Sequence, residues 1–211
     1  MSKYKGSSII EVIVVIVILS IGIVGAYGML NSGQKLANTT ENRIKAINIA
    51  REGIEAVGNI RDTNWIKFSS DYQNCWNTKN YDDGCIGNAI TIPTKRFSSG
   101  SYILIQSGSL WTLSGVSNPS STYTGGLTQF PVSYDSDGLI IQTGSVNKCT
   151  TNTSTGCLSI FTREIKISYI GTTDPETASG MEVHSIVKWV DNSKVGTYEI
   201  DLKTIFTNWK K

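Results

Sequence analysis

The sequence predicts an α+β protein in which one long N-terminal helix, apolar in its first half and amphipathic in its second, packs on an antiparallel β-sheet. Three observations carry this. An almost unbroken apolar run covers residues 9–30, and a three-and-four-residue apolar period follows over residues 34–62. The last third of the chain alternates apolar and polar residues with period two. Residues 9–64 contain no proline, the first being Pro93, so one continuous helix is open to this stretch.

The apolar run follows Lys3, Lys5 and Gly6. Its length, about 20 residues or roughly 30 Å of helix, suffices to span a bilayer. Lysines ahead of it favour a cytoplasmic N-terminus, with the rest of the chain exported. One residue breaks the pattern: Glu11. A carboxylate in hydrocarbon costs at least a few kcal/mol, so an acid inside such a segment calls for a function. Two simpler readings stand beside that one. Val24-Gly25-Ala26 offers a small-residue cleavage site, as in an ordinary secretory signal. The run could also be a plain signal anchor with Glu11 incidental.

Lys5-Gly6 followed by Ser7-Ser8-Ile9-Ile10-Glu11-Val12 resembles the cleavage and N-methylation motif of type IV prepilins and type II secretion pseudopilins. In that family a basic leader is cut after a glycine and the fifth residue of the mature chain is Glu. Cleavage between Gly6 and Ser7 puts Glu11 at that place. This sequence departs from the family in having Ser7 where most members have Phe, and in lacking the proline that many carry near Gly28. The resemblance implies a pilin-like fold and processing by a prepilin peptidase that also methylates the Ser7 amine. It further implies insertion in the inner membrane as a single-pass prepilin, an inner-membrane assembly platform, and other pilin subunits as partners. Membrane lipid surrounds the helix before assembly, and Glu11 pairs with a neighbour's N-terminus afterwards.

Along residues 34–62, Leu36, Thr40, Ile44, Ile47, Ala50, Ile54, Val57 and Arg61 step at three or four residues, with Glu41, Lys45, Arg51, Glu52 and Glu55 opposite. Gly22, Gly25, Gly28 and Asn31-Ser32-Gly33 weaken the helix, each glycine by about 1 kcal/mol against Ala. A bend or melted turn is expected there. A transmembrane helix, a linker and a separate core helix form the alternative. The run Ala50-Arg51-Glu52-Gly53-Ile54-Glu55-Ala56-Val57, continuing through Asn59-Ile60-Arg61-Asp62-Thr63-Asn64-Trp65, is similar to minor pilins of the pilus-modification type. It reads as the end of the helix, with Trp65 capping the core.

The expected division is a leader at 1–6, a transmembrane and assembly half of the helix at 7–30, its amphipathic half at 31–65, and an exported β-rich globular part at 66–211. Short β-like runs occupy residues 89–93, 102–105, 110–113 and 139–141. Three period-two strands follow. Phe161, Arg163, Ile165, Ile167 and Tyr169 line one face of the first. Val183, Ser185, Val187 and Trp189 line the second, and Tyr198, Ile200, Leu202 and Thr204 the third. They form an antiparallel meander across the helix, with His184 on its polar side.

Cys75, Cys85, Cys149 and Cys157 are the four cysteines, an even number in an exported chain, which suggests disulfides. Of the three pairings, Cys75 with Cys85 and Cys149 with Cys157 close the shortest loops. Zinc is the rival, but neither pair has C-x2-C spacing and His184 is the lone histidine. Tyr81-Asp82-Asp83-Gly84 and Tyr134-Asp135-Ser136-Asp137-Gly138 cluster carboxylates before a glycine. Calcium takes several oxygens, yet neither run completes an EF-hand loop and Asp-Gly is ordinary turn chemistry. No metal or cofactor is expected.

Composition bounds the function. Of 19 basic residues, Lys3 and Lys5 belong to the leader, which leaves the mature chain balanced against 17 acids. That balance argues against bulk-charge binding of nucleic acid. G-x-S-x-G, H-E-x-x-H and Walker patterns are absent, so no enzyme is predicted. A structural filament subunit is the leading expectation. The other class is a filament-tip adhesin or DNA-uptake subunit, resting on Lys95-Arg96-Phe97 and Trp209-Lys210-Lys211, where basic groups adjoin a ring.

Overall fold

The computed structural model of the chain describes residues 9–87, 96–115, 131–134, 140–142, 157–190 and 197–208. The chain divides into two compact units, Met1–Arg43 and Ile44–Lys211. Helix α1 runs unbroken over Ile9–Lys67. Residues 28–34, where glycines predict a bend, are helical throughout. Glycine weakens a helix but keeps its N–H in the ladder, whereas proline removes the donor, and no proline intervenes.

In the second unit, a seven-stranded sheet is seen among the described residues, antiparallel at every pairing. Strands β5 (Cys157–Tyr169), β6 (Gly180–Val190) and β7 (Thr197–Thr207) form the predicted meander. Two hairpins share the other edge of β5. The first, β1 (Gly100–Ser107) with β2 (Leu110–Gly115), pairs Gly100 with Ile167 and Tyr102 with Ile165. The second, β3 (Pro131–Tyr134) with β4 (Ile140–Ile141), pairs Pro131 with Thr162 and Tyr134 with Cys157. The runs expected at 102–105 and 110–113 fall on β1 and β2, and that at 139–141 meets β4. The run at 89–93 lies outside the described residues. Strand β3 had no sequence expectation, since it is short and opens on proline.

Between the hairpins β5 would lose its partner around Arg163, and the Gln142 side chain takes the place of a strand. Its Oε1 accepts from Leu104 N at 3.2 Å and from Arg163 Nε at 3.0 Å, while its Nε2 donates to Arg163 O at 2.7 Å. Buried backbone groups left without partners cost about 1–3 kcal/mol each, so a side chain that mimics backbone keeps the sheet continuous.

The helix face that meets the sheet differs from the expected one. Ala50 and Val57 are buried as predicted, but the centre runs through Ala46, Ile49, Gly53, Ala56, Ile60 and Asn64. Ile44, placed in the stripe by hydropathy, is 55% exposed. Hydropathy ranks large side chains, whereas close approach of helix to sheet selects small ones. Gly53 shows why: a Cβ there would collide with Ser185 Oγ and sit 2.8 Å from Ile165 Cδ1. Two apolar clusters flank this crossing. One gathers Ala56, Val57, Ile60 and Trp65 with Tyr102, Leu104, Ile165, Ile167 and Val183; the other gathers Ala46, Ile49 and Ala50 with Val132, Phe161, Val187 and Trp189.

Beyond α1 the chain enters a loop pinned at several points. Cys75 and Cys85 are disulfide-bonded, as expected. Asn64 Nδ2 donates to Trp76 O at 3.3 Å and Thr78 O at 3.0 Å. Asn80 and Tyr81 hold left-handed φ angles of 52° and 56°, conformations costing about 1–3 kcal/mol each for non-glycine residues. They are held by Lys67 Nζ donating to Tyr81 O at 2.8 Å and by Tyr81 Oη donating to Trp111 O at 2.6 Å.

Helix propensity favours Ala over Gly by about 1 kcal/mol. Gly53→Ala should nevertheless lower stability in denaturant unfolding, by about 1–3 kcal/mol, because the added methyl overpacks a closed seam. Gly58→Ala, which meets only Phe206 at an ordinary 3.4 Å, should be neutral or stabilising. A stabilising Gly53→Ala would contradict the close-approach account.

Candidate assembly segment

Every residue from Ile9 to Leu30 is helical and exposed, the large apolar side chains between 49% for Val12 and 79% for Met29. The helix is long and apolar enough to cross a membrane, and none of its most apolar stretch is buried. Such a surface needs lipid or other apolar surface around it.

Its few polar groups behave differently from one another. Ser20 Oγ donates back to Ile16 O at 2.7 Å, so this hydroxyl is satisfied within its own helix. Glu11 has no such recourse. It lies in the first turn of α1, where the helix's free N–H groups and positive dipole end favour an anion. Among the described residues no cation or donor pairs with it. Lys3, Lys5, Gly6 and Ser7 lie outside those residues.

Other expected sites fall as follows. Cys149 and the side chain of Cys157 lie outside the described residues, so the second pairing does too. Asp82 Oδ1 accepts from Gly84 N at 2.8 Å, the turn chemistry that Asp-Gly predicts. Asp135 to Gly138 lie outside the described residues. His184 sits on the outer side of β6, its Nδ1 2.9 Å from Asp201 Oδ2 and its Nε2 3.7 Å from Glu182 Oε2. In the first of the two basic–aromatic clusters, Arg96 is 4% exposed beside Glu176 and Phe97 is 1% exposed, so these two side chains form no surface platform. Lys95 and residues 209–211 lie outside the described residues.

Sequence reasoning missed the part played by Arg163. Fully buried, it donates from Nη1 to Glu52 Oε1 at 2.9 Å and to Ile49 O at 3.3 Å, tying β5 to α1. Burial pushes its pKa down and the Glu52 carboxylate opposes that shift. An arginine in the inward row of a period-two strand, with a glutamate on the facing helix, was the available signal. Tyr169 plays a similar part: burial pushes its phenol up, and its hydroxyl donates to Phe97 O at 2.5 Å.

An apolar helix of membrane-spanning type, headed by one carboxylate and followed by an antiparallel sheet, defines a membrane-anchored α+β chain arranged like a type IV pilin. Residues 1–27 match the family model for the prokaryotic N-terminal methylation motif, so the chain carries the type IV prepilin signature. That motif marks a structural subunit that is processed by a prepilin peptidase and assembles with other pilins. No curated protein and no solved structure matches the chain.

With Arg96 and Phe97 enclosed, the purified protein is expected to show no salt-sensitive DNA binding at physiological ionic strength. Sub-micromolar binding with a steep salt slope in an electrophoretic shift series would reverse that expectation.

Proposed function

We propose that this chain is a minor pilin or pseudopilin, a structural subunit of a type IV pilus or a type II secretion filament. It enters the inner membrane with its N-terminus inside. It is then cut between Gly6 and Ser7, methylated on the Ser7 amine, and drawn by an assembly platform into a filament through residues 7–30. The observation that carries this reading is Glu11, the one charged residue among the exposed apolar residues 9–30, within a prepilin motif.

The chemistry supports it. Cutting after Gly6 removes both leader lysines and creates an α-amino group four residues before Glu11. N-methylation adds apolar surface and leaves the amine cationic. An ammonium and a carboxylate are each costly in an apolar medium, and each relieves the other. In a bundle of such helices, Glu11 of one subunit meets the amine of the next and sets the axial register. The loop that follows the helix, closed by the Cys75–Cys85 disulfide, suits a minor subunit.

Glu11→Ala and Glu11→Val should leave membrane insertion and leader cleavage intact. Incorporation into sheared filaments should fall by roughly tenfold or more, because each neighbour is left with an unpaired buried amine. Unchanged incorporation would remove Glu11 from this role.

A further inference from the structure

Two of the sheet's outer strands are finished differently. Strand β7 carries Glu199, Asp201 and Lys203, all exposed, and such charges blunt an edge against pairing with another strand. Strand β2, Leu110-Trp111-Thr112-Leu113-Ser114-Gly115, holds neither a charge nor a proline, and among the described residues it pairs only with β1. An apolar edge of that kind is a template for association unless something covers it.

The register shows which groups need the cover. Two residues, Gly108 and Ser109, join β1 to β2, so Ser107 and Leu110 form a hydrogen-bonded pair, and Gln106 with Trp111 does not. Trp111 therefore turns its N–H and C=O away from β1, to the open side. Leu104 agrees with this alternation: facing Leu113, it gives its N–H to Gln142 and not to β2. Tyr81 reaches the open side. Its Oη donates to Trp111 O at 2.6 Å, and its ring joins the apolar cluster that contains Leu113 and meets Trp111.

Tyr81 sits in the ring of residues that the Cys75–Cys85 disulfide closes. It and Asn80 hold positive φ angles, which residues other than glycine seldom adopt. The two hydrogen bonds on Tyr81, from Lys67 Nζ and to Trp111 O, offset about as much as those two conformations cost. Covalent closure tips the balance, because it removes most of the conformations open to the free loop. Both cysteines are buried against Phe68, so the closed bond is shielded once the unit has folded.

We propose that the Cys75–Cys85 disulfide is a redox-set edge guard: its closure holds Tyr81 over the apolar edge of β2 and keeps that edge from pairing with a second chain. Closure takes one proton from each thiol and two electrons from the pair, and an incoming disulfide accepts them and leaves as two thiols. An exported chain thus finishes its sheet when it reaches an oxidising compartment. The guard lies within Ile44–Lys211 and does not draw on the filament reading.

The test uses the full chain in detergent, with association read by size-exclusion chromatography with light scattering, and folding by near-UV circular dichroism. Cys75→Ser with Cys85→Ser should raise the associated fraction roughly tenfold over the parent at equal concentration. Tyr81→Phe keeps the disulfide and the ring but loses the hydrogen bond to Trp111, and should raise it less, by about threefold. Adding Leu110→Lys, which puts a charge on the open edge, should return both variants to the parent's level. Leu110 is 42% exposed, so the lysine needs no room in the core. If the cysteine-free chain does not fold, Tyr81→Phe with and without Leu110→Lys decides alone. Association that Leu110→Lys leaves unchanged would overturn the guard, since it would then come from general unfolding. Parent-level association in both unguarded variants would overturn it as well.

Discussion

An acidic side chain on an apolar helix is the constraint around which this chain is arranged. Residues 9–30 present apolar side chains on every side, and Glu11 is the exception at the end where processing would occur. Ser20 shows what a polar group does when its own helix can satisfy it. The free N–H groups of the first turn favour an anion at Glu11 but carry no full charge to balance it. Its partner has to come from elsewhere. The proposed partner is the amine that leader removal creates on another copy. The single acid thus links the processing site, the membrane helix and the quaternary arrangement in one electrostatic account.

The second unit solves a different problem, which is holding a helix firmly against a sheet. Gly53 lets the two approach closely, and at the same crossing the buried Arg163 pairs with the half-buried Glu52. Removing Glu52 would leave the Arg163 cation buried without its carboxylate, which destabilises the crossing. Farther along, Arg61 lies 4.4 Å from the Trp65 ring and 4.8 Å from the Phe206 ring, and Asn64 anchors the loop that follows. These residues, Glu52, Gly53, Arg61, Asn64 and Trp65, all stand in the last part of α1. In this structure their work is attachment of the helix to its own sheet and to the loop that follows it.

Much of this architecture was legible because it follows from periods. The apolar run and the two-residue alternation of β5, β6 and β7 are local patterns, and each inward row fell where its sequence placed it. The helix's buried face was harder. Hydropathy favoured Ile44, whereas the seam turns on Ala46, Ala50 and Gly53, whose value lies in being small. Gln142 was not legible at all. Its part as a substitute strand depends on the gap between two hairpins, which only the pairing of β5 with β1 and β3 defines. For the assembly segment, Glu11 stood out in the sequence because its cost is intrinsic to the residue and its surroundings. Arg163 was harder to read: its place in an inward row was visible, but which helix residue would meet it depends on how α1 crosses β5.

The central claim is settled most directly at the mature N-terminus. Mass spectrometry of the protein recovered from membranes or filaments should find a chain that begins at Ser7 and carries one methyl group on its α-amine. A chain beginning at Tyr27, or one retaining Met1 or Ser2, would contradict the account, since no new amine would then stand near Glu11.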